Sequence, residues 1–219
     1  MKKQALVIGL GQFGMSVVRS LDDLGVEVMA VDSNAERVRY ASEFAEEAVA
    51  FDATDEASLG KAGPKNRDLC VCAIGDEARE ASILCTALLR QMGAARIIAR
   101  AADPLHERIL RLIGAHEVIN PERAFGEWFA THLAFRNVRA EYPFGRAMTV
   151  SEVALPAAFV GRTLAELALP RKHGITIAAI QRGEDTVVTP RPDDPLEEGD
   201  VLIIVALKGR VAKLMERYE

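Results

Sequence analysis

The stretch VIGLGQFG, residues 7–14, places Gly9, Gly11 and Gly14 directly after an apolar run and directly before a segment of helical period. At a strand-to-helix turn, the first glycine permits a tight turn, the second lets the backbone approach a pyrophosphate, and the third allows close packing of helix on strand. The free N–H groups at the start of the helix then face the phosphates. The stretch therefore predicts a Rossmann-type unit that binds an adenine nucleotide.

Asp32 ends the second predicted strand, in VEVMAVD at residues 26–32. At this position a Rossmann unit carries its acidic ligand for ribose, and a carboxylate there accepts hydrogen bonds from both ribose hydroxyls. The same charge repels a 2′-phosphate, which disfavours NADP. The alternative is that Asp32 only caps the following helix.

Short apolar runs alternate with longer segments of helical period through the first 135 residues. The runs typical of strands cover residues 4–9, 26–31, 48–51, 69–74, 96–99 and 117–119. The segments of helical period cover residues 13–24, 35–42, 57–61, 78–92, 104–113 and 121–135. Because apolar strands separated by helices are typical of a parallel sheet covered on both faces, the pattern predicts an α/β fold. We expect a Rossmann-type doubly wound parallel sheet in a first domain of residues 1–135.

The pattern changes after Ala134, where FRNVRAEYPF at residues 135–144 is mixed and irregular. Runs typical of strands then occur at residues 148–155, 175–180, 186–188 and 201–206, and helices are expected at residues 163–168 and 210–217. Gly183 marks a hairpin between two of these strands. Residues 136–219 are therefore predicted to form a linker and a small α+β domain.

The composition is that of an ordinary globular protein, since 49% of the 219 residues are hydrophobic and 27% are charged. A formal net charge of −5 gives no general attraction to phosphate backbones, so we expect no nucleic-acid partner. The N-terminal apolar run breaks into glycines too early for a signal peptide, and residues 201–207, the longest strongly apolar stretch elsewhere, are too few to cross a bilayer. We expect a soluble, cytoplasmic protein.

The three cysteines, Cys70, Cys72 and Cys85, form neither a CxxC motif nor a zinc-binding pattern. Cys70 and Cys72 are two residues apart in an apolar run, so a strand places both on one side. We expect buried thiols in a reducing cytosol.

Two further segments follow the ends of the third and fourth predicted strands, FDATDEASL at residues 51–59 and CAIGD at residues 72–76. Ligands of open α/β sheets bind at the carboxyl ends of the strands. The first segment is expected to contact the adenine edge and the second to pass under the ribose, although isolated tripeptides of this kind are also typical of plain loops. The residues concerned are Asp52, Ala53 and Thr54 in the first segment and Ala73, Ile74 and Gly75 in the second.

Taken in order, these motifs resemble those of a known family. The stretches are VIGLGQFG, VMAVD, FDATDEASL, CAIGDEAREASILCTALLRQMGAARIIARA, VINPERAFG and, in the β-rich second domain, LEEGDVLIIV. The ordered set closely resembles the cytosolic regulatory subunits of Ktr/Trk-type potassium uptake systems, from residue 4 to about residue 218. The resemblance implies an N-terminal RCK domain, also called KTN, and a C-terminal RCK domain.

The resemblance also implies a regulatory function without catalysis. Such subunits form homodimers that assemble into an octameric ring on the cytoplasmic face of a separate potassium-translocating membrane subunit. Bound ATP favours the conducting state and bound ADP the closed state, whereas some Trk-like members also bind NAD or NADH. The protein would then be peripheral to the membrane through its partner.

The nucleotide contacts of the family fall on matching residues of this chain. The resemblance assigns Gly9, Gly11, Gln12, Phe13 and Gly14 to the phosphate loop, Asp32 to the ribose, Asp52, Ala53 and Thr54 to the adenine, and Ala73, Ile74 and Gly75 to the pocket lining. Arg100, at the end of the fifth predicted strand, is a candidate partner for phosphate because a guanidinium bonds two phosphate oxygens at once. The alternative for Arg100 is a solvated surface arginine.

Gln12 departs from the family pattern, since some Ktr-type members have an arginine there that reaches the terminal phosphate of a neighbouring subunit's ATP. Glutamine donates a hydrogen bond but brings no charge, so discrimination between ATP and ADP would depend on other groups such as Arg100. NAD or NADH as the ligand therefore stays open.

Glu122, in VINPERAFG, matches a family glutamate that helps to place a divalent cation, Mg²⁺ or Ca²⁺, between the nucleotides of neighbouring subunits. A hard dication that bridges phosphates needs only one or two carboxylates from the protein. The alternative is a first-turn glutamate that the helix dipole favours after Pro121.

The second domain resembles a module that in some relatives binds a cyclic dinucleotide in an apolar groove between subunits. Ile175, Ile177 and Pro190 are candidates to line such a groove, but the strand alternation favours core and turn positions for them. The basic cluster of residues 171–173 is interpreted as solvated.

Two other functions stay open from the sequence. An NAD-dependent oxidoreductase fits the glycine motif and Asp32, but the histidines are scattered and form no recognisable catalytic grouping. These are His106, His116, His132 and His173. The same module in another RCK-gated channel or in an antiporter would have a similar sequence, because only the membrane partner differs.

Overall fold

Strands and helices alternate through the first of the two units into which the chain divides, Met1–Pro121. The computed structural model describes residues 2–145, 147–183, 187–188 and 190–218. In chain order the elements of this unit are β1 (Gln4–Ile8), α1 (Gln12–Asp23), β2 (Glu27–Asp32), α2 (Ala35–Ala41), β3 (Glu47–Ala50), α3 (Glu56–Lys61), β4 (Leu69–Cys72), α4 (Arg79–Gln91), β5 (Ile97–Arg100), α5 (Pro104–Leu112) and β6 (Glu117–Ile119).

The six strands form one sheet in the order β3-β2-β1-β4-β5-β6, and every neighbouring pair is parallel. The central strand β1 is apolar almost throughout because helices cover both faces of the sheet, and Leu6 and Val7, on opposite faces, are both 0% exposed. The strand order reverses between β1 and β4, where an open α/β sheet has its ligand crevice. The predicted fold class is confirmed.

The glycine loop, which we define as residues 9–14, brings α1 close to the sheet. Gly9 has a φ of +91°, and a Cβ there would lie 2.8 Å from the backbone nitrogen of Ile74. A Cβ on Gly14 would lie 1.8 Å from the carbonyl oxygen of Gly9. Around Gly11, in contrast, a Cβ would meet no atom within 4 Å. Two glycines are therefore required for packing, and the third leaves open space in front of the backbone.

The second unit, Glu122–Glu219, is built on an antiparallel sheet. Its elements are α6 (Pro121–Ala134), β7 (Val138–Phe144), β8 (Met148–Ala154), α7 (Leu164–Leu167), α8 (Leu169–His173), β9 (Ile175–Gln181), β10 (Val187–Val188), β11 (Val201–Leu207) and α9 (Arg210–Tyr218). The strand order is β10-β9-β11-β8-β7. Its core is apolar and includes Phe159, Leu202 and Ile204, each at most 1% exposed.

Two details of the second domain were not predicted from the sequence. Residues 135–144 are not irregular throughout, because Val138–Phe144 forms β7. The strand signal is weak because β7 lies at the edge of the sheet and contains Pro143, which an edge strand tolerates. The helix expected at residues 163–168 covers Leu164–Leu167 and is followed by a second short helix, because Ala168 adopts a left-handed conformation with a φ of 47°.

Other expectations for this unit agree with the structure. β9 and β10 pair antiparallel around Gly183, as the hairpin prediction requires, although Thr186 lies outside the described residues. Ile175 is fully buried in the core, while Ile177 and Pro190 are half-buried. In α8, Arg171 and Lys172 are exposed and His173 is half-buried. The core interpretation of Ile175 therefore agrees with its environment.

The division between the units lies at the start of α6, whereas the sequence predicted it after residue 135. The free cysteines Cys70, Cys72 and Cys85 are buried, as expected. In the described part of the chain, no helix combines the length and apolar character that a membrane crossing needs.

Candidate nucleotide-binding site

A cleft of about 470 Å³ lies at the carboxyl edge of the parallel sheet. The structure brings together here ten of the thirteen residues predicted to bind nucleotide. They are Gly9, Gly11, Asp32, Asp52, Ala53, Thr54, Ala73, Ile74, Gly75 and Arg100. They come from the ends of five strands that are far apart in the sequence. The cleft thus occupies the place where ligands bind in open α/β sheets.

Three predicted residues lie outside the lining of this cleft. Gln12 is exposed and lines a shallower depression beside Gly11 and Arg37. Gly14 is buried in α1 and serves the packing described above. The ring of Phe13 is half-buried, and its centroid lies 5.9 Å from Cζ of Arg100. Phe13 therefore contacts a residue of the cleft without lining it.

Asp32 links the glycine loop to the end of β2. Its Oδ2 accepts a hydrogen bond from the backbone N–H of Leu10 at 2.6 Å, and its Oδ1 accepts one from the N–H of Asn34 at 2.8 Å. The cap of α2 is Asn34, whose side chain accepts from the N–H groups of Glu36 and Arg37. The alternative role for Asp32 as the helix cap is therefore wrong. Asp32 is 8% exposed, and it faces the cleft.

Asp52 and Thr54 form a closed turn after β3. Oδ1 of Asp52 accepts from the backbone N–H of Thr54 at 2.9 Å and from its hydroxyl at 2.8 Å. These two hydrogen bonds lower the pKa of Asp52 below its usual value. Because the Thr54 hydroxyl donates to Asp52, its oxygen is left to accept a hydrogen bond from another group.

Arg100 is held at the end of β5 with only 16% of its side chain exposed, so its interpretation as a solvated surface residue is wrong. Its Nη2 lies 3.8 Å from Oδ1 of Asp76. A Cβ on Gly75 would lie 3.3 Å from its Nη1, so the guanidinium lies against the backbone that follows β4. A guanidinium in this position can bind two phosphate oxygens.

Sequence reasoning missed several residues that line the cleft, chiefly Arg37, Asp76 and Glu77. Arg37 lies in the first turn of α2, and its Nη1 is 3.6 Å from Oδ2 of Asp32. Asp76 and Glu77 directly follow the predicted segment that ends at Gly75. The rule that ligands bind at the carboxyl ends of parallel strands applies to these two residues as well, so the sequence could have indicated them. The contact of Arg37 could not be predicted in this way, because it depends on the orientation of α2.

Glu122 lies in the first turn of α6, in the second unit, and is exposed. Among the residues that the structure describes, no group of three or more His, Cys, Asp or Glu side chains is arranged to hold a metal ion. A cation shared with bound phosphates needs fewer protein ligands than this. The metal role of Glu122 therefore stays a prediction.

Backbone groups engage three of the histidines. Nδ1 of His106 accepts from the N–H of Ala102 at 3.2 Å, and Nδ1 of His116 accepts from the N–H of Ile97 at 2.9 Å. Nδ1 of His132 lies 3.1 Å from the carbonyl oxygen of Val138. Burial lowers the pKa of His106, which favours the neutral ring. None of these histidines is among the described residues that line the cleft.

A Rossmann-type sheet with a glycine loop, an acidic residue at the end of β2 and an antiparallel second unit agrees with the two-domain RCK class that the sequence motifs resemble. The TrkA-N domain family matches residues 5–121, and the TrkA-C domain family matches residues 148–218. The chain belongs to the family of proteins with TrkA-N and TrkA-C domains.

One relative supports this assignment, and two solved structures share the fold. The Ktr system potassium uptake protein C of Bacillus subtilis (strain 168) is 34% identical over 217 residues, which cover 99% of this chain and 98% of that protein. The structure of the GsuK channel bound to NAD has a TM-score of 0.65 at 20% identity, over 98% of this chain and 39% of the channel chain. GsuK bound to ADP has a TM-score of 0.52 at 19% identity, over 63% and 36%. At these identities the two structures show the fold alone.

Proposed function

We propose that this protein is a cytosolic nucleotide-binding regulatory subunit of a potassium uptake system. The observation that carries the proposal is the convergence of the glycine loop, Asp32 and Arg100 on one cleft at the reversal point of a parallel sheet. The full-length similarity to a Ktr system protein supports the physiological context. In this proposal ATP or ADP occupies the cleft and sets the state of a separate potassium-translocating membrane subunit.

Each part of the nucleotide has a partner in the cleft. The N–H groups at the start of α1 face the phosphates, and the open space in front of Gly11 allows their close approach. The carboxylate of Asp32 accepts from the ribose hydroxyls. The Thr54 oxygen accepts from the adenine amino group, and Arg100 binds a phosphate.

NAD or NADH is the second candidate ligand. The uncharged Gln12 brings no positive charge for a terminal phosphate, and GsuK, which shares the fold, is described in an NAD-bound form. The carboxylate of Asp32 disfavours NADP and NADPH, because it repels their 2′-phosphate. We propose regulation without chemical change of the ligand for both candidates.

The proposed assembly is a homodimer that forms an octameric ring on the inner face of the membrane. Support comes from α6, where Phe125, Phe129 and Leu133 are 61%, 43% and 68% exposed. Exposed apolar surface of this kind is typical of protein contacts. A second copy of this chain is the proposed partner of this face, and Glu122, at the start of the same helix, is the proposed ligand for Mg²⁺ or Ca²⁺ between subunits.

A nucleotide shifts such an assembly only by binding its two conformations with different affinity, and typical coupling is about 1–3 kcal/mol. The first test is a calorimetric titration of nucleotide-stripped protein with ATP, ADP, NAD and NADH, with and without Mg²⁺. Binding of ATP and ADP, with Mg²⁺ affecting only ATP, supports the proposal. Binding of NADH alone would favour the second candidate, and binding of none would contradict both.

A further inference from the structure

The turn that follows β4 carries two acidic residues into the cleft. Asp76 and Glu77 both line it, and the turn is closed by a hydrogen bond from the N–H of Ala78 to the carbonyl oxygen of Gly75 at 3.2 Å. Oδ1 of Asp76 lies 3.8 Å from Nη2 of Arg100. The Asp76 side chain is 54% exposed and that of Arg100 is 16% exposed. An accessible carboxylate therefore faces a guanidinium that is largely enclosed.

Two other groups, the backbone of Gly75 and the ring of Phe13, lie near the guanidinium of Arg100. Gly75 has a φ of −81°, which any residue adopts, yet a Cβ there would lie 3.3 Å from Nη1 of Arg100. A side chain at this position would therefore require the guanidinium to move by a few tenths of an ångström. The Phe13 ring lies 5.9 Å from Cζ of Arg100 on the side of the glycine loop. The contact with the carboxylate is looser, because 3.8 Å is too long for a hydrogen bond.

The charges that line the cleft give it an acidic balance. Its charged side chains are the carboxylates of Asp32, Asp52, Asp76 and Glu77 and the guanidiniums of Arg37 and Arg100, which leaves a formal charge of −2. Backbone N–H groups stabilise the carboxylates of Asp32 and Asp52. Each additional phosphate on a ligand adds negative charge to this cleft.

We propose that Asp76 competes with the ligand's phosphates for Arg100 and thereby disfavours the most highly charged nucleotides. The carboxylate of Asp76 lies within ion-pair distance of the guanidinium, so a phosphate that binds Arg100 must displace Asp76 or share the guanidinium with it. The penalty grows with phosphate charge and is greatest for metal-free ATP, smaller for ADP and smallest for NAD. This inference rests on the proposed nucleotide site and names the residue that tunes its specificity.

The test compares Asp76→Asn with Glu77→Gln, a charge-matched control in the same turn. Dissociation constants for ATP, ADP and NAD are measured by calorimetry with EDTA present and at constant salt. We expect Asp76→Asn to tighten ATP binding by about 3- to 10-fold and to tighten NAD binding by less. This is the size of effect expected when one negative charge is removed beside a negatively charged ligand at a site open to solvent. Glu77→Gln should tighten ATP binding less, because it removes a negative charge from the cleft without removing the proposed contact with Arg100.

A double-mutant cycle with Arg100→Gln isolates the proposed contact. In the Arg100→Gln background, Asp76→Asn should tighten ATP binding no more than Glu77→Gln does. Thermal melting checks that each variant is folded. Equal gains from Asp76→Asn and Glu77→Gln in the wild-type background, or a gain that persists without Arg100, would overturn the inference while wild-type binding stands. Failure of the wild-type protein to bind any of the three nucleotides would instead overturn the proposed function, and this inference with it.

Discussion

The carboxylate of Asp32 accepts hydrogen bonds from the backbone of the glycine loop and from the start of the α2 segment, and it lines the cleft. One side chain therefore has both a structural and a proposed ligand-binding role. The contact at Leu10 is buried, so loss of its acceptor leaves a buried N–H without its partner. The two roles can be separated by measuring stability and affinity in the same variants.

We predict that Asp32→Ala weakens nucleotide binding at least 10-fold and also lowers the melting temperature of the ligand-free protein. Loss of a hydrogen bond to a charged group costs about 1.5–3 kcal/mol. The matched control is Asn34→Ala, which removes the cap of α2 at a cost of about 1 kcal/mol without removing the proposed ribose ligand. Unchanged affinity in Asp32→Ala would remove Asp32 from the site.

An ion pair joins the end of β9 to the start of β11. Arg182 follows β9, and Asp200 precedes β11. Nε and Nη2 of Arg182 donate to the two carboxylate oxygens of Asp200 at 2.8 and 2.9 Å, and the N–H of Glu197 donates to Oδ2 at 2.9 Å. Burial raises the pKa of Asp200, but these hydrogen bonds outweigh it, so the net pKa lies below the usual value.

We predict that Arg182→Gln destabilises the second unit by about 1–3 kcal/mol at pH 7. This is less than the full cost of breaking a buried ion pair, because Arg182 is partly exposed. A lowered pKa in the folded state means that the stabilisation is present above the unfolded pKa of about 3.9 and is lost as pH falls through the folded value. Urea unfolding should therefore show a difference between wild type and Arg182→Gln that shrinks below about pH 4. Arg191→Gln, an exposed arginine, is the control, and a pH-independent difference would contradict this explanation.

Exposed aromatic side chains on α6 provide the surface for the proposed self-association. The aromatic rings of Phe125 and Phe129 stack on α6 with centroids 5.7 Å apart, and both are exposed. Large aromatic side chains contribute much of the apolar area of protein interfaces. The proposed contact between copies of the chain therefore depends on this pair.

We predict that the double substitution Phe125→Ser and Phe129→Ser lowers the molar mass measured by size-exclusion chromatography with light scattering. Leu24→Ser is the control, because Leu24 is 77% exposed and lies in the other unit. Its mass should equal that of the wild type. If the double variant keeps the wild-type mass, α6 is not the contact, and the proposed assembly must use another face.

Much of the fold and of the candidate site was predictable because the motifs that indicate them are continuous stretches of sequence. The glycine loop and the segments after β3 and β4 each follow a strand, Asp32 is the last residue of β2, and parallel strands end at one edge of a sheet. Their convergence on the cleft follows from that rule, and the family resemblance drawn from the ordered motifs is confirmed. The functions of the individual residues stay predictions.

The strand–helix alternation, the sheet class and the family could be predicted from the sequence alone, since each depends on local periodicity or on motif order. The tertiary structure decided which side chains meet, including Asp76 with Arg100 and Arg37 with Asp32. It also decided that Val138–Phe144 is an edge strand and that Gln12 lines a shallower depression, which shares Gly11 and Arg37 with the cleft. The physical reason is that contacts between residues distant in sequence depend on the packing of elements against each other, and local propensity does not encode that packing.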